Sequence, residues 1–370
     1  RWPVTPEVAG SSPVIPAILN TLILDHLIFI SYIFDYKRGF RMRFLFIFII
    51  LILTDNIVSK ELTERDKFNN LSKEISNWGR WGPNDQLGTL NNISDKNIIE
   101  AKKLIIEGKT ISLSRNMGKK ITPFNSAPIK HQPFIIPSGA FGQDPEHSHE
   151  GAGDTFEINY HGFSHTHIDA INHFARDGKM YNGYTFEIGP NNEFENLGIE
   201  EVGKLGIVSR GVLIDLPVFF DVDYIKSGTA IKIEDIKKWE KKNNIKIGKG
   251  DILLLRTGRW EELRQKGYWD FSKKATGFHY SVATFFKERD IAVIGCDGVS
   301  DVMPSGIESK FNALHELAIV DLGMPIIDNM DLDLLSKKLE KLNRKTFLFI
   351  ANPLRIKGAT GTPINPIAIY

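Results

Sequence analysis

The residues able to do chemistry are concentrated in one stretch, Tyr160 to Phe174 (YHGFSHTHIDAINHF). It holds four of the ten histidines, His161, His165, His167 and His173, together with Asp169. Read as an extended strand, it puts His165, His167 and Asp169 on one face, because strand side chains alternate with period two. If the chain coils into a helix after Ala170, His173 swings back toward the same spot. Imidazole nitrogens and a carboxylate suit zinc or manganese better than calcium or magnesium, which prefer oxygen ligands throughout. The expectation is a metal site holding Zn2+ or Mn2+, one or two per chain.

The elements that must position this stretch follow from the rest of the chain. Its 370 residues are enough for a substantial core. With 46 basic and 45 acidic residues the net charge is +1, so no global field recruits nucleic acid, and the expected partner is a small molecule. The lone Cys296 excludes an internal disulfide framework, and its place at the end of the apolar run Ile291 to Ile294 reads as a small buried residue.

Met42-Arg43 followed by the apolar run Phe44 to Leu53 has the form of a secretory signal, with Ser59 before the cleavage point. Residues 1–41 then read as an upstream or non-native extension, 42–59 as the signal peptide, 60–76 as a polar lead-in and 77–370 as the folded domain. This organisation implies secretion or residence in the secretory lumen, with no stable membrane partner once the signal is removed. Retention of the N-terminal apolar segments would imply membrane association instead.

Within the body, an amphipathic helix is expected from Ser94 or Asp95 to a stop at Gly108. Residues Pro123 to Gly153 lack periodicity and read as a long functional loop or lid. Gly206 to Leu216, Asp251 to Arg256, Ile291 to Ile294 and Thr346 to Ile350 read as buried strands. Helical patterns at Ile233 to Asn243, Ser281 to Arg289, Phe311 to Leu322 and Leu332 to Leu342 lie between and after them. The fold class is α/β, a single mixed-sheet domain with flanking helices. His315 lies on the apolar stripe of its helix and faces inward. Asp297, at the end of a strand, is either a group that supports the site or contacts substrate, or a structural turn aspartate.

The central stretch resembles the metal motif of the cyclase family that includes bacterial kynurenine formamidases and isatin hydrolases, His-x-Gly-Thr-His-x-Asp-x-x-x-His. Thr166, His167, Asp169 and His173 match it, whereas Phe163 stands at the first histidine and His165 at the glycine. Trp78 to Asn91, Tyr181 to Gly183, Gly295 to Pro304 and Gly323 to Leu332 are similar to segments of longer members of that family, so the resemblance spans about Asn77 to Tyr370. It implies a cyclase-like swivelling β/β/α fold, metal ligands at His167, Asp169, His315 and Asp328, and an acid/base role for His173. Asp328 stands where the family has glutamate. It also implies that Trp78 and Trp81 lie near the substrate pocket, with Phe163 beside them, and that the protein is at least a dimer. His165 or His161 would fill the place of the lost histidine, and His165 is the better placed on a strand.

The resulting expectation is a metal-dependent hydrolase of an amide or cyclic amide C–N bond, with arylformamidase action on N-formylkynurenine, in tryptophan breakdown, as the nearest specific activity. A bound ion would lower the pKa of water from about 16 to about 7. Two other classes stand beside it. One is a non-catalytic ligand- or metal-binding protein on the same scaffold, favoured by Phe163. The other is an amidohydrolase-like barrel, suggested by the His165-x-His167 pair.

Overall fold

The computed structural model describes residues Leu62–Tyr370. The expected extension and signal peptide lie outside the described residues.

Among the described residues thirteen strands are formed: β1 (Thr110–Ser112), β2 (Lys130–Ile136), β3 (Gly151–Glu157), β4 (His167–Asp169), β5 (Ile207–Asp215), β6 (Ala230–Ile231), β7 (Ile252–Arg256), β8 (Gly277–Phe278), β9 (Val293–Cys296), β10 (Ile326–Asp328), β11 (Thr346–Ala351), β12 (Gly361–Pro363) and β13 (Ile367–Ile369). Nine of them build one mixed sheet in the order β1-β13-β11-β5-β7-β9-β10-β4-β12. The centre, β5-β7-β9-β10, is parallel, and β4, β11, β12 and β13 pair antiparallel.

The central strands are near-continuous apolar runs because both faces of the sheet are covered. In β7, Leu253 and Leu255 enter a core with Trp239, Phe285 and Leu317 from the helices on one side. Ile252 and Leu254 enter a second core on the other side, with Val202, Leu335 and Leu339. A sheet with β1 and β12 at its two edges is the expected mixed α/β architecture and excludes the amidohydrolase barrel.

Local chemistry set the helices. Ile233–Asn243 forms with Ile236 and Trp239 buried and stops at Asn244 in the left-handed region. The helix capped by Ser94 covers Asp95–Lys102 and does not reach Gly108. Beyond it Leu104 and Ile105 make i to i−3 bonds to Ala101 and Lys102, a tightened turn that ends the helix early.

Two further expectations are corrected. The lead-in, within residues 62–76, contains a helix, Glu64–Ile75, started by a reciprocal Thr63–Asp66 capping box. Phe68, Ser72 and Ile75 share one buried face at i, i+4 and i+7, so the folded body begins before residue 77. The loop expected at 123–153 contains β2, which pairs with β3 in an antiparallel ribbon. The ribbon is largely exposed on both faces, so no hydrophobic alternation marked it in the sequence.

Candidate metal centre

The site forms where β4 lies between β10 and β12. Period-two alternation puts His167 and Asp169 on one face of β4, and the register sets Asp328 of β10 opposite His167. His315 arrives from a different element, the short turn Ala313–His315 that continues as the π-helix Glu316–Leu322. Its Nε2 lies 3.4 Å from Asp169 Oδ2 and 3.3 Å from Asp328 Oδ2. His167, Asp169, Asp328 and His315 are all buried.

After β4 the chain does not coil into a helix. A turn closed by His173 N–H donating to Ala170 O, at 3.0 Å, returns His173 to the cluster instead. There it stacks on His161, with ring centroids 3.8 Å apart and planes 4° apart. His161 Nδ1 is 3.0 Å from Asp169 Oδ1. Two groups result, His167–Asp169–Asp328 and His161–Asp169–His173, each with its ligating atoms within 4.8 Å of one another, and Asp169 belongs to both.

His161, not His165, therefore stands beside Asp169. The expectation for His165 assumed a strand running back through it, but the strand begins at His167, and residues 161–165 form a bend with Gly162 at φ 142°. His165 is buried, its Nε2 has no hydrogen-bond partner, and burial, with His167 nearby, pushes its pKa down.

The donor set fits a divalent cation. Asp169 Oδ1 and His161 Nδ1 are buried without hydrogen-bond partners although they face each other at 3.0 Å. His167 Nδ1 lies 2.8 Å from the His165 carbonyl, which can only accept, so Nδ1 carries the proton and Nε2 keeps its lone pair. Burial alone would raise the Asp169 carboxyl, but His173 and His167 outweigh it and hold it well below the carboxylate range. Burial would lower His315, yet Asp301 and Asp328 drive it well above the usual imidazole value. Buried carboxylates and imidazoles in this arrangement favour a cation between them. Burial pushes His173 down to about 4, with Asp169 opposing, so its imidazole is neutral at pH 7.

Asp297 lies against the turn after β7. It is buried and accepts from the N–H groups of Thr257, Gly258 and Arg259 and from the Thr257 hydroxyl, which fixes the turn after β7. Trp78 donates Nε1–H to Val320 O, and Trp81 carries the Arg80 guanidinium over its ring. Their loop is tied down by Asn182, which donates to the carbonyls of Gly82 and Pro83. Phe163 lines a cavity of about 460 Å³ together with Tyr268, Trp269 and Phe271.

Sequence reasoning missed the supports of the site. Arg259 donates to Phe163 O and, at 2.5 Å, to Asn329 Oδ1, and its guanidinium lies over Phe124, Trp260 and Phe271. Asn329 in turn donates to the carbonyls of Gly162 and His165, so the pair shapes the bend before β4. Ser300 and Asp301 hold Asp328 and His315. All but Arg259 fall in segments that carry the family resemblance, which was the one signal pointing to them.

Fold and site together define a mixed α/β protein with a buried histidine–carboxylate cluster of metal-ligating type. The sequence matches the Cyclase family, described as "Putative cyclase", over residues 93–301, and the chain belongs to that family. Among curated proteins none matches the sequence. A crystal structure of a novel cyclase is similar at 28% identity and a TM-score of 0.72, covering 81% of this chain and 99% of that one. An isatin hydrolase bound to the product analogue thioisatinate aligns at 18% identity and a TM-score of 0.49, over 75% of this chain and 99% of its own. Isatin hydrolase A from Labrenzia aggregata aligns at 19% identity and a TM-score of 0.47, over 70% and 93%.

Proposed function

We propose that the protein is a metal-dependent hydrolase acting on the C–N bond of an amide or cyclic amide. The observation that carries this reading is the buried cluster His167–Asp169–Asp328, with His161 Nδ1 3.0 Å from Asp169 and His173 stacked on His161. His167, Asp169, Asp328 and His315 would hold the ion, zinc or manganese at one or two per chain, with His161 completing the set. A divalent ion there supplies Lewis acidity toward a carbonyl oxygen and lowers the pKa of water toward neutrality.

The other groups supply binding and proton transfer. His173, neutral at pH 7, takes a proton on a ring nitrogen and returns it to the leaving nitrogen. Phe163, two residues from His161, lines a cavity with Trp269 and Phe271 whose aromatic walls would suit a flat substrate. The choice of a C–N bond, and of N-formylkynurenine as a specific substrate, rests on the sequence resemblance to formamidases and isatin hydrolases. Export and a homo-oligomer rest in the same way on the signal-like segment after Met42 and on that resemblance.

Phe163 favours a second reading. It stands at the family's first histidine and turns its ring toward Phe271, 5.2 Å away, so a binding protein without turnover would also use this scaffold. The deciding test is hydrolysis of N-formylkynurenine, isatin and simple lactams by zinc- or manganese-loaded protein, beside Asp169→Asn. Turnover lost in the variant supports the enzyme. Full metal loading with no turnover across the panel supports the binder.

A further inference from the structure

His315 is held by a carboxylate that belongs to neither ligand group. We propose that Asp301 is the positioning residue of the metal site: it accepts the Nδ1–H of His315 and so fixes Nε2 as the nitrogen that faces Asp169 and Asp328 and would ligate the ion. The inference rests on the reading that these residues hold a divalent ion.

The geometry leaves Asp301 little freedom. It is 1% exposed. Oδ1 accepts from Leu314 N–H at 2.6 Å, while Oδ2 accepts from His315 N–H at 3.2 Å and from His315 Nδ1. Both oxygens already accept from backbone N–H groups, so Asp301 meets His315 as an acceptor and Nδ1 is the nitrogen that donates. Nε2 is then the nitrogen directed between Asp169 Oδ2 and Asp328 Oδ2.

The loop that carries Asp301 is itself fixed. Phe278 N–H donates to Ser300 O at 2.8 Å and Val302 N–H to Phe278 O at 3.2 Å, while Met303 and Ala275 exchange backbone bonds. Gly277 permits this approach, since a Cβ there would lie 2.4 Å from Asp301 O. The preceding residue does the same task for the other ligand. Ser300 donates its N–H and hydroxyl to Asp328 Oδ1, at 3.1 and 2.9 Å, and leaves Oδ2 to face His315. Consecutive residues of one loop thus orient two ligands from two different elements, and such outer partners set ligand direction and basicity.

The test uses the full chain and Co2+ alone, with wild type, Asp301→Asn, His315→Ala and the double variant. Asp301→Asn turns an amide toward Nδ1 and favours the opposite tautomer. The expected result is a 10- to 100-fold loss of Co2+ affinity with a changed visible spectrum, and little further loss when the same change is made in His315→Ala. Wild-type affinity and spectrum in Asp301→Asn, or an equal loss in the His315→Ala background, would overturn the proposal. Nitrogen-15 spectra of the zinc-loaded wild type give a readout that does not require the variant to fold: His315 should show a protonated Nδ1 and a metal-shifted Nε2, and coordination through Nδ1 overturns the proposal. A wild-type protein that takes up neither Co2+ nor Zn2+ removes the underlying reading, and the proposal with it.

Discussion

His161 and His173 lie face to face, 3.8 Å between ring centroids and 4° between planes, against the one carboxylate of Asp169. The family motif places a histidine at position 163. This chain has Phe163 there and brings a histidine from two residues earlier to the carboxylate. His161→Ala should therefore weaken metal binding about tenfold or more, the scale seen when even outer supports of a metal are removed. His165→Ala should leave it unchanged. A competition titration against a chelator separates them, and equal effects would contradict the placement of His161.

Restoring the family's residue should not restore its function. Phe163 packs its ring with Phe271 in an aromatic cluster, and Arg259 holds its carbonyl. Phe163→His puts a polar ring into that cluster and should cost about 1–3 kcal/mol of stability without adding a metal ion per chain. Denaturant unfolding and metal analysis of one preparation check both parts.

A pH dependence follows from the ion pair of Arg176 and Asp321. Asp321 accepts from Arg176 and Ser72, yet burial raises its carboxyl from the ordinary 3.8 to about 6, against the pull of Arg176. Between those values the native state holds a proton that the unfolded chain has released, so stability falls as pH rises through this window. A gap of about two units corresponds to roughly 3 kcal/mol. Wild type measured against Asp321→Asn should lose about that much between pH 4 and pH 7. A flat difference would show that Arg176 fully offsets the burial.

The helix Glu64–Ile75 is part of the body. Phe68 is fully buried and meets Tyr280 edge-on at 5.7 Å. Phe68→Ala should destabilise the protein by about 3–5 kcal/mol, as for other buried aromatic truncations. A change under 1 kcal/mol in the unfolding free energy would return this segment to a solvated lead-in.

The sequence was legible where burial is two-sided or periodic. Strands β5, β7 and β11 are apolar runs because helices cover both faces, and the helix at Ile233–Asn243 shows its buried Ile236 and Trp239 at helical spacing. It was opaque where burial is slight. The β2–β3 ribbon is solvated on both faces, and the helix at Glu64 buries only three residues of a polar sequence. In the site, His167, Asp169 and His173 were readable from local spacing. Choosing His161 over His165 was not, because it depends on the bend that Arg259 and Asn329 impose on the carbonyls of Gly162, Phe163 and His165. Asp301 was hidden for the same reason: its partner lies on another element, and only the folded loop joins them.

The most direct measurement is the metal content per chain of the full-length protein, purified without chelators and reconstituted with zinc and with manganese, beside Asp169→Asn. Because Asp169 is common to both ligand groups, the predicted result is one or two ions per chain in the wild type and none in the variant. A wild-type protein that stays metal-free after reconstitution, or a variant that holds as much metal as the wild type, would contradict the assignment of this cluster as a metal centre.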